Sequence, residues 1–323
     1  MSCVKIDSKD FLRKLQILKR VIGRSDEIFQ FVDLHSNEIS AWDGCLVFSI
    51  KIDADLPAVS FPINLVYSIL KFCEEDFEIC HDGEILIKCG ELNAVFKKYK
   101  KKVERVPFGE KVGEIHDYVQ GLDYISKPMG EEEMVEVHFG KISVAHAITS
   151  NLSVFYVFNG SGRRFSFSMP YQSVRRFSKA AQKLKDWEIF GGKSLGFRSA
   201  VMEGSICGEV MEEHIALPRI FNARKLDEKF RKIVKKSASL LGNFETEISI
   251  KSGKITITGS RGEMMIAMSD SIDLDLEFRI RVPVRKFSSY LSGMSSVWVD
   301  VGGGVVRFVD GKGKRYVITK KAL

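Results

Sequence analysis

The sequence predicts an α+β fold of three tandem units, each with two helices packed on a largely antiparallel sheet. Three observations predict it. A strand–proline–helix motif occurs three times at regular spacing, a strand–turn–strand pattern follows each motif, and an amphipathic helix precedes it. The chain has 323 residues, of which 45% are hydrophobic, so each third is long enough to bury a core.

The proline motif is the clearest repeat. In segments 59–71, 167–179 and 280–292, an extended run reaches a proline and an amphipathic helix begins. Proline suits a helix start because the N–H that it lacks would have no helical partner there. The prolines are Pro62, Pro170 and Pro283, which are 108 and 113 residues apart and are three of only seven in the chain. This spacing predicts units at 1–108, 109–218 and 219–323.

The segments around the motifs complete each unit. Alternating apolar runs that begin at Phe77, Trp187 and Val297 predict hairpins after the proline helices. Opening helices are predicted at 8–22, 112–126 and 222–239. Strands are predicted at 29–35, 38–42 and 46–52 in the first unit, and at 245–250, 254–259 and 264–269 in the third.

Basic residues cluster on the polar faces of three helices. Positions at the helical spacing 0, 4, 7 and 11 are Lys9, Arg13, Gln16 and Arg20 in the first, Gln172, Arg176, Lys179 and Lys183 in the second, and Lys225, Lys229, Lys232 and Lys236 in the third. One alternative is that these faces only contact solvent. A solubilising face usually mixes charge signs, however, because like charges at this spacing repel. In a chain of net charge +7, the pattern therefore predicts a surface that contacts phosphates without reading bases.

The sequence shows no motif for catalysis. None of the six histidines has a common metal-ligand spacing, and no nucleophile elbow or Walker loop occurs. His138 and His146 lie in strand-like segments and are expected to be structural. We therefore expect a protein that is not an enzyme and that uses no cofactor and no metal.

The six cysteines include no Cys-x-x-Cys pair, and several lie in apolar strand patterns. We expect buried, reduced thiols and a cytoplasmic location. The alternative is a metal site at Cys73, Cys80, His81 and Cys89, although these spacings match no common zinc module. Neither a signal peptide nor an apolar run of the roughly 20 residues needed to span a membrane is apparent, so no membrane partner is expected.

Four segments resemble the sliding clamp of the bacterial DNA polymerase III beta-subunit family. Residues 21–34 resemble its first helix end, Gly-Arg loop and strand, and residues 61–71 resemble the second helix of its first domain. Residues 215–218 resemble the join before its third domain, and residues 316–323 resemble its C-terminal strand and tail. The resemblance covers the chain in order and suggests a diverged member, for which a phage or plasmid origin would fit.

The resemblance implies three tandem DNA-clamp domains per chain and a ring formed as a head-to-tail homodimer around double-stranded DNA. Helices would line the hole, and a DNA polymerase, other DNA-processing proteins and a clamp loader would be partners. Arg24 and Lys71 correspond to DNA contacts of the family. With the helix residues, the expected DNA-binding set is Arg13, Arg20, Arg24, Lys71, Arg176, Lys179, Lys183, Lys225, Lys229, Lys232 and Lys236.

The family also implies two protein-binding surfaces. Its partner-peptide pocket corresponds to Leu152, Met211, Ile215, Ala216, Val317 and Thr319. Its dimer interface corresponds to Phe96, Leu240, Leu241 and Phe244. The pocket loop reads Thr-Ser-Asn-Leu-Ser here instead of Thr-Asp-Gly-His-Arg-Leu, and Thr319-Lys320 replaces the terminal Met-Pro. We therefore expect the partners' peptide to have changed as well.

Two other functions fit a basic α+β chain. A nucleic-acid-modifying enzyme on the same scaffold would require a catalytic cluster. A non-ring, monomeric DNA-binding processivity factor would have a solution mass near 36.5 kDa.

Overall fold

The computed structural model describes residues 2–22, 30–73, 75–82, 84–96, 107–130, 133–182, 184–215 and 217–322. Two helices lie in each third of this part of the chain. They are α1 (Ser8–Leu18), α2 (Ile63–Leu70), α3 (Tyr118–Ser126), α4 (Tyr171–Ala180), α5 (Glu228–Leu241) and α6 (Val284–Ser292). Together with the antiparallel sheets described below, they confirm the predicted α+β class.

The strands of the N-terminal half are β1 (Ser2–Ile6), β2 (Phe31–Trp42), β3 (Leu46–Pro62), β4 (Phe77–Asp82), β5 (Glu84–Cys89), β6 (Leu92–Phe96), β7 (Glu110–Ile115), β8 (Met134–Phe139), β9 (Val144–Thr149), β10 (Leu152–Val157) and β11 (Gly160–Gly162). The remaining strands are β12 (Phe165–Pro170), β13 (Trp187–Gly191), β14 (Ser194–Arg198), β15 (Met202–Cys207), β16 (Glu209–Val210), β17 (Arg224–Lys225), β18 (Glu245–Lys251), β19 (Lys254–Arg261), β20 (Met264–Ser271), β21 (Phe278–Pro283), β22 (Val297–Gly302), β23 (Val305–Asp310) and β24 (Arg315–Lys320).

The chain forms two compact units, residues 1–119 with 172–210, and residues 120–171 with 211–323. The first unit contains sheets of strand order β1-β4-β5-β6 and β7-β13-β14-β15-β3-β2. The second contains β12-β8-β9-β10-β24-β23-β22-β17 and β20-β19-β18-β21. Antiparallel pairing of β3 with β15 and of β10 with β24 makes each larger sheet from two successive thirds of the sequence. The division into three domains stays a prediction.

The proline motif folds as predicted in all three places. Pro62, Pro170 and Pro283 end strands β3, β12 and β21, and a helix begins at the next residue each time. Pro62 is the N-cap of α2, with φ −66° and ψ 116°, so its fixed φ turns an extended chain into a helix. The hairpins β4–β5, β13–β14 and β22–β23 follow these helices, as predicted.

Two of the predicted opening helices were placed wrongly. Residues 110–115 form strand β7 paired with β13, so α3 is shorter than the predicted helix at 112–126. The helix predicted from residue 222 begins at Glu228, because the Asp227 side chain accepts the N–H of Lys229 and caps the helix there. Lys225 consequently lies on β17, opposite Trp298 of β22, and not on the helix.

In the first unit, the predicted and observed bounds of the elements differ less. Helix α1 ends at Leu18, before the predicted end at residue 22. The two strands predicted at 29–35 and 38–42 are a single strand, β2, with an irregular register around Ser36. Ser36 has a φ of 52°, and a left-handed residue of this kind locally disturbs a strand without ending it.

The cysteines form three disulfides, so the expectation of reduced thiols was wrong. Cys3 pairs with Cys80, Cys45 with Cys207 and Cys73 with Cys89. The alternative metal site also fails, since its three cysteines are used in two of these disulfides. The fold brings the partners together: Cys3 and Cys80 lie directly opposite each other on the neighbouring strands β1 and β4, with Cα atoms 4.0 Å apart.

The helices pack their apolar faces on the sheets. In the first unit, Phe11 of α1 contacts Phe77 of β4 with ring centroids 5.2 Å apart. In the second, Phe308 of β23 contacts Phe230 of α5 and Phe287 of α6 at 6.0 Å and 5.0 Å. In α1 and α5, burial of one face leaves the charged face of the helix outside. None of the helices in the described ranges is long and apolar enough to cross a bilayer.

Candidate nucleic-acid interface

The helix α1 presents its cations to solvent because its opposite face is fixed in the core. Phe11, Leu15 and Leu18 are buried, and the Asp7 side chain caps the helix by accepting the N–H of Asp10 at 2.7 Å. Arg13 and Arg20, both in the predicted DNA-binding set, are exposed.

A second group of cations surrounds Tyr67 of α2. The Lys19 and Lys71 Nζ atoms lie 4.3 and 4.9 Å from the centroid of its ring. The negative face of the ring attracts both ammonium groups and reduces their mutual repulsion. Lys71 belongs to the predicted set, whereas Lys19 was missed. Its position beside Arg20 at the end of a basic helix was the signal that could have identified it.

Arg20 connects this group to helix α4. Its guanidinium donates a hydrogen bond from Nη1 to the backbone oxygen of Lys179, at 2.9 Å. Lys179 lies in the last turn of α4, where backbone carbonyls have no helical partner and carry partial negative charge. Two residues of the predicted set, 159 positions apart, are thereby in contact.

Arg176 of α4 forms an ion pair with a buried carboxylate. Its Nη1 lies 2.7 Å from Oδ2 of Asp43, whose side chain is only 1% exposed. The other Asp43 oxygen accepts the backbone N–H groups of Cys45 and Leu46 at 2.9 and 2.5 Å. Arg176 therefore neutralises a buried carboxylate that fixes a turn, and its charge is only partly available to a phosphate.

Helix α5 carries the largest cationic face. Phe230, Ile233, Val234, Ser237 and Leu241 are buried, and the helix ends at Gly242, whose φ of 66° suits glycine. Lys229, Lys232 and Lys236 are exposed on the opposite face, with Lys235 beside them. Lys225 is also exposed, on β17.

The described members of the predicted set have little ion pairing. Within the described part of the chain, Arg176 alone of this set has a carboxylate within ion-pair distance. Some cations elsewhere are paired, as in Lys14 with Asp10 at 2.5 Å and Arg307 with Asp300 at 3.3 Å. The helix faces thus keep uncompensated positive charge. Arg24 and Lys183 lie outside the described residues.

The predicted pocket residues are distributed over buried and accessible positions. Leu152 lies directly opposite Thr319, and Val317 lies opposite Val154, in the pairing of β10 with β24. Leu152, Val317 and Thr319 are buried, whereas Met211 and Ile215 are half-buried on the segment after β16. Ala216 lies outside the described residues.

A polar cluster lies at Thr149, the first residue of the segment predicted to be the pocket loop. Lys286 Nζ of α6 lies 2.9 Å from Glu133 Oε1 and 2.6 Å from Thr149 Oγ1, and Thr149 also hydrogen-bonds Glu133. Burial raises the pKa of the Glu133 carboxyl, but hydrogen bonds from Thr149, Lys286 and the Gly130 N–H outweigh it, so this pKa is lowered. These contacts hold Thr149 in place.

The residues predicted to form the dimer interface also include both buried and exposed positions. Phe96 and Leu241 are buried, whereas Leu240 and Phe244 are exposed. The structure adds exposed apolar residues that the sequence reasoning missed: Val95 on β6, and Met264 and Met265 on β20. Both strands are sheet edges, since each has one strand neighbour among the described residues. An exposed apolar edge is a template for pairing with another chain.

No protein-family model and no curated protein sequence matches the chain. Solved structures match it along its whole length. One of them is the DNA polymerase III beta chain from Streptococcus pneumoniae. The match covers 100% of both chains, with a TM-score of 0.80 and 14% sequence identity. Coverage is likewise 100% both ways for a DNA polymerase sliding clamp from Pseudomonas aeruginosa (TM-score 0.79, 12% identity) and for the Helicobacter pylori beta clamp bound to a DNA ligase peptide (TM-score 0.77, 9% identity). The chain therefore has the fold of the DNA polymerase III beta-subunit sliding clamps.

Proposed function

We propose that this protein is a sliding clamp, a processivity factor that encircles duplex DNA and tethers the replicative polymerase and other DNA-processing proteins. It is not an enzyme in this proposal. The observation that supports this proposal most strongly is that the chain has a clamp fold over its full length and also has uncompensated cations on its helix faces. Each chain would supply three clamp domains, at 1–108, 109–218 and 219–323.

The cations would act on the DNA backbone. Lysines such as Lys229, Lys232 and Lys236 are long and flexible, and their helix is fixed flat against its sheet by Phe230 and Ile233. A helix packed in this way does not enter a groove to read base edges, as specific recognition requires. The contacts would therefore be independent of sequence, sensitive to salt and weak enough for sliding.

Ring closure would use the two exposed edges. The β6 edge of one copy would pair with the β20 edge of a second copy, burying Val95 against Met264 and Met265. Leu240, in the last turn of α5, and Phe244, three residues after the helix ends, would enlarge this contact. Pairing of two different edges is head-to-tail, and two such seams close a dimer.

Partners would dock outside the DNA-binding surface. The Helicobacter pylori clamp is bound to a DNA ligase peptide in its structure. In this protein a partner peptide would first contact Met211 and Ile215, the accessible members of the predicted pocket. A clamp loader would open one seam using ATP, and the protein would act at replication sites in the cytoplasm.

Topology provides the test, because a ring is held on DNA by closure and an ordinary basic protein by charge. Retention on circular DNA at high salt, with release after linearisation, distinguishes these two cases.

A further inference from the structure

Three potential metal ligands converge on one face of the larger sheet of the second unit. Glu136 of β8 lies directly opposite His146 of β9, and His138 is two residues further along β8. Because strand side chains alternate between faces, Glu136 and His138 share a face with His146. The carboxylate oxygen and the two ring nitrogens all lie within 4.8 Å of one another.

Serine hydroxyls hold the outer nitrogens of both imidazoles. Ser166 Oγ lies 3.0 Å from His138 Nδ1, and Ser153 Oγ lies 2.9 Å from His146 Nε2. The inner nitrogens consequently point at Glu136, with Oε2 2.9 Å from His146 Nδ1 and 3.4 Å from His138 Nε2. A metal-binding histidine is typically held in this way, by a hydrogen bond at the nitrogen that does not ligate.

The donor spacing matches a tetrahedral ion. Zinc–ligand distances of about 2.0–2.2 Å place neighbouring donor atoms about 3.3 Å apart. The two separations measured from Glu136 Oε2, 2.9 and 3.4 Å, bracket this value. Two imidazoles and one carboxylate form a ligand set that zinc accepts, and they leave a coordination position for water or a partner's side chain.

The burial of His138 is a separate indication. Its side chain is fully buried, and Nε2 makes no well-aligned hydrogen bond in the described part of the chain, since its contact with Glu136 Oε2 is a long 3.4 Å. A buried polar nitrogen without a partner is costly, and few occur in folded proteins. A metal ion bonded to Nε2 would satisfy it.

We propose that Glu136, His138 and His146 form a zinc-binding site, a property that the clamp function neither requires nor predicts. The alternative is that these residues form a structural polar cluster. The two roles differ in a measurable property, which is binding of one divalent ion per chain.

The test uses the full chain with its disulfides intact, freed of metal by dialysis against a chelator and checked for absence of free thiols. Titration with zinc against a chromophoric chelator should show one site per chain, and zinc should raise the melting temperature. Glu136→Gln, which keeps the side-chain size, and His146→Ala each remove a ligand and should weaken zinc binding at least about 10-fold. His116→Ala is the matched control, because His116 is exposed and pairs with Asp186 away from the cluster.

Glu136→Gln keeps the test valid even if His146→Ala or His138→Ala does not fold, since circular dichroism can verify its structure. Absence of a zinc site in the wild-type chain would overturn the proposal. Equal zinc affinity in Glu136→Gln and in the wild type would overturn it as well. Neither result would affect the proposed clamp function, because none of these residues belongs to the DNA-binding set.

Discussion

The guanidinium of Arg20 donates a hydrogen bond to the backbone oxygen of Lys179, 2.9 Å away. This contact joins the end of α1 to the last turn of α4 and holds two exposed cations side by side. A solubilising pair of surface residues would more commonly combine opposite charges. The arrangement stabilises a positive surface, which is useful if a polyanion occupies it.

Arg176, one turn before Lys179, should contribute mainly to stability. Arg176→Ala leaves the Asp43 carboxylate buried without its cation, and we expect the free energy of unfolding to fall by about 2 kcal/mol. Lys179→Ala, the control on the same helix, should change it by less than about 0.5 kcal/mol. Urea denaturation measures both variants. Similar losses for the two would show that the Asp43 pair is not a stabilising contact.

The face of α5 should determine loading on DNA. Reversing the exposed cations by Lys229→Glu, Lys232→Glu and Lys236→Glu should reduce the amount of protein loaded on DNA at least about 10-fold and leave the dimer intact. The matched control reverses three exposed lysines of hairpin ends, by Lys251→Glu, Lys254→Glu and Lys312→Glu, with the same change of net charge. An equal effect in the control would mean that net charge, and not this helix face, drives binding.

The proposed dimer pairs β6 of one copy with β20 of the other. Mixing two variants, each altered at one of these edges, tests this head-to-tail arrangement. Val95→Glu on β6 and Met265→Glu on β20 should each give a mass near 36.5 kDa by analytical ultracentrifugation, because each disrupts both seams. An equimolar mixture of the two variants should recover dimers, since one seam then joins two unaltered edges. Val201→Glu, at an exposed valine away from both edges, should remain dimeric. Failure of the mixture to dimerise would contradict pairing between β6 and β20.

The Glu133–Lys286 pair should make stability depend on pH. The pKa of Glu133 is lowered from its ordinary value of 4.5, so its contribution is fully present above that pH and is lost as the pH falls through the folded-state pKa. Lys286→Met removes the cation, and its deficit in unfolding free energy should be largest near pH 7 and shrink below pH 4.5. Thermal denaturation over a pH series measures this. A deficit that does not change with pH would show that Lys286 acts through packing alone.

The sequence predicted the repeated parts of the fold because they have local signals. Pro62, Pro170 and Pro283 marked three helix starts, and apolar spacing marked the buried faces of α1 and α5. The start of α5 was missed because Asp227, the actual cap, lies inside a continuous basic stretch that reads as helical. The disulfides were missed because their partners are distant, with Cys45 and Cys207 separated by 162 residues.

The site was predicted less completely than the fold. Spacing identified the cations of α5, but the ion pair of Arg176 depends on Asp43, which only tertiary structure brings near. Met264 and Met265 were missed because exposure at a sheet edge depends on which strands pair. The convergence of Glu136, His138 and His146 depends on the register of β8 with β9, which strand patterns alone do not give.

The most direct measurement of the central claim is retention on DNA of defined topology. The protein is loaded on a nicked circular plasmid, moved into about 1 M salt, where surface charge interactions are screened within about 3 Å, and separated from free protein by gel filtration. The account predicts that bound protein stays with the circle and is released when a restriction enzyme linearises the plasmid. Equal loss from circular and linear DNA would contradict encirclement.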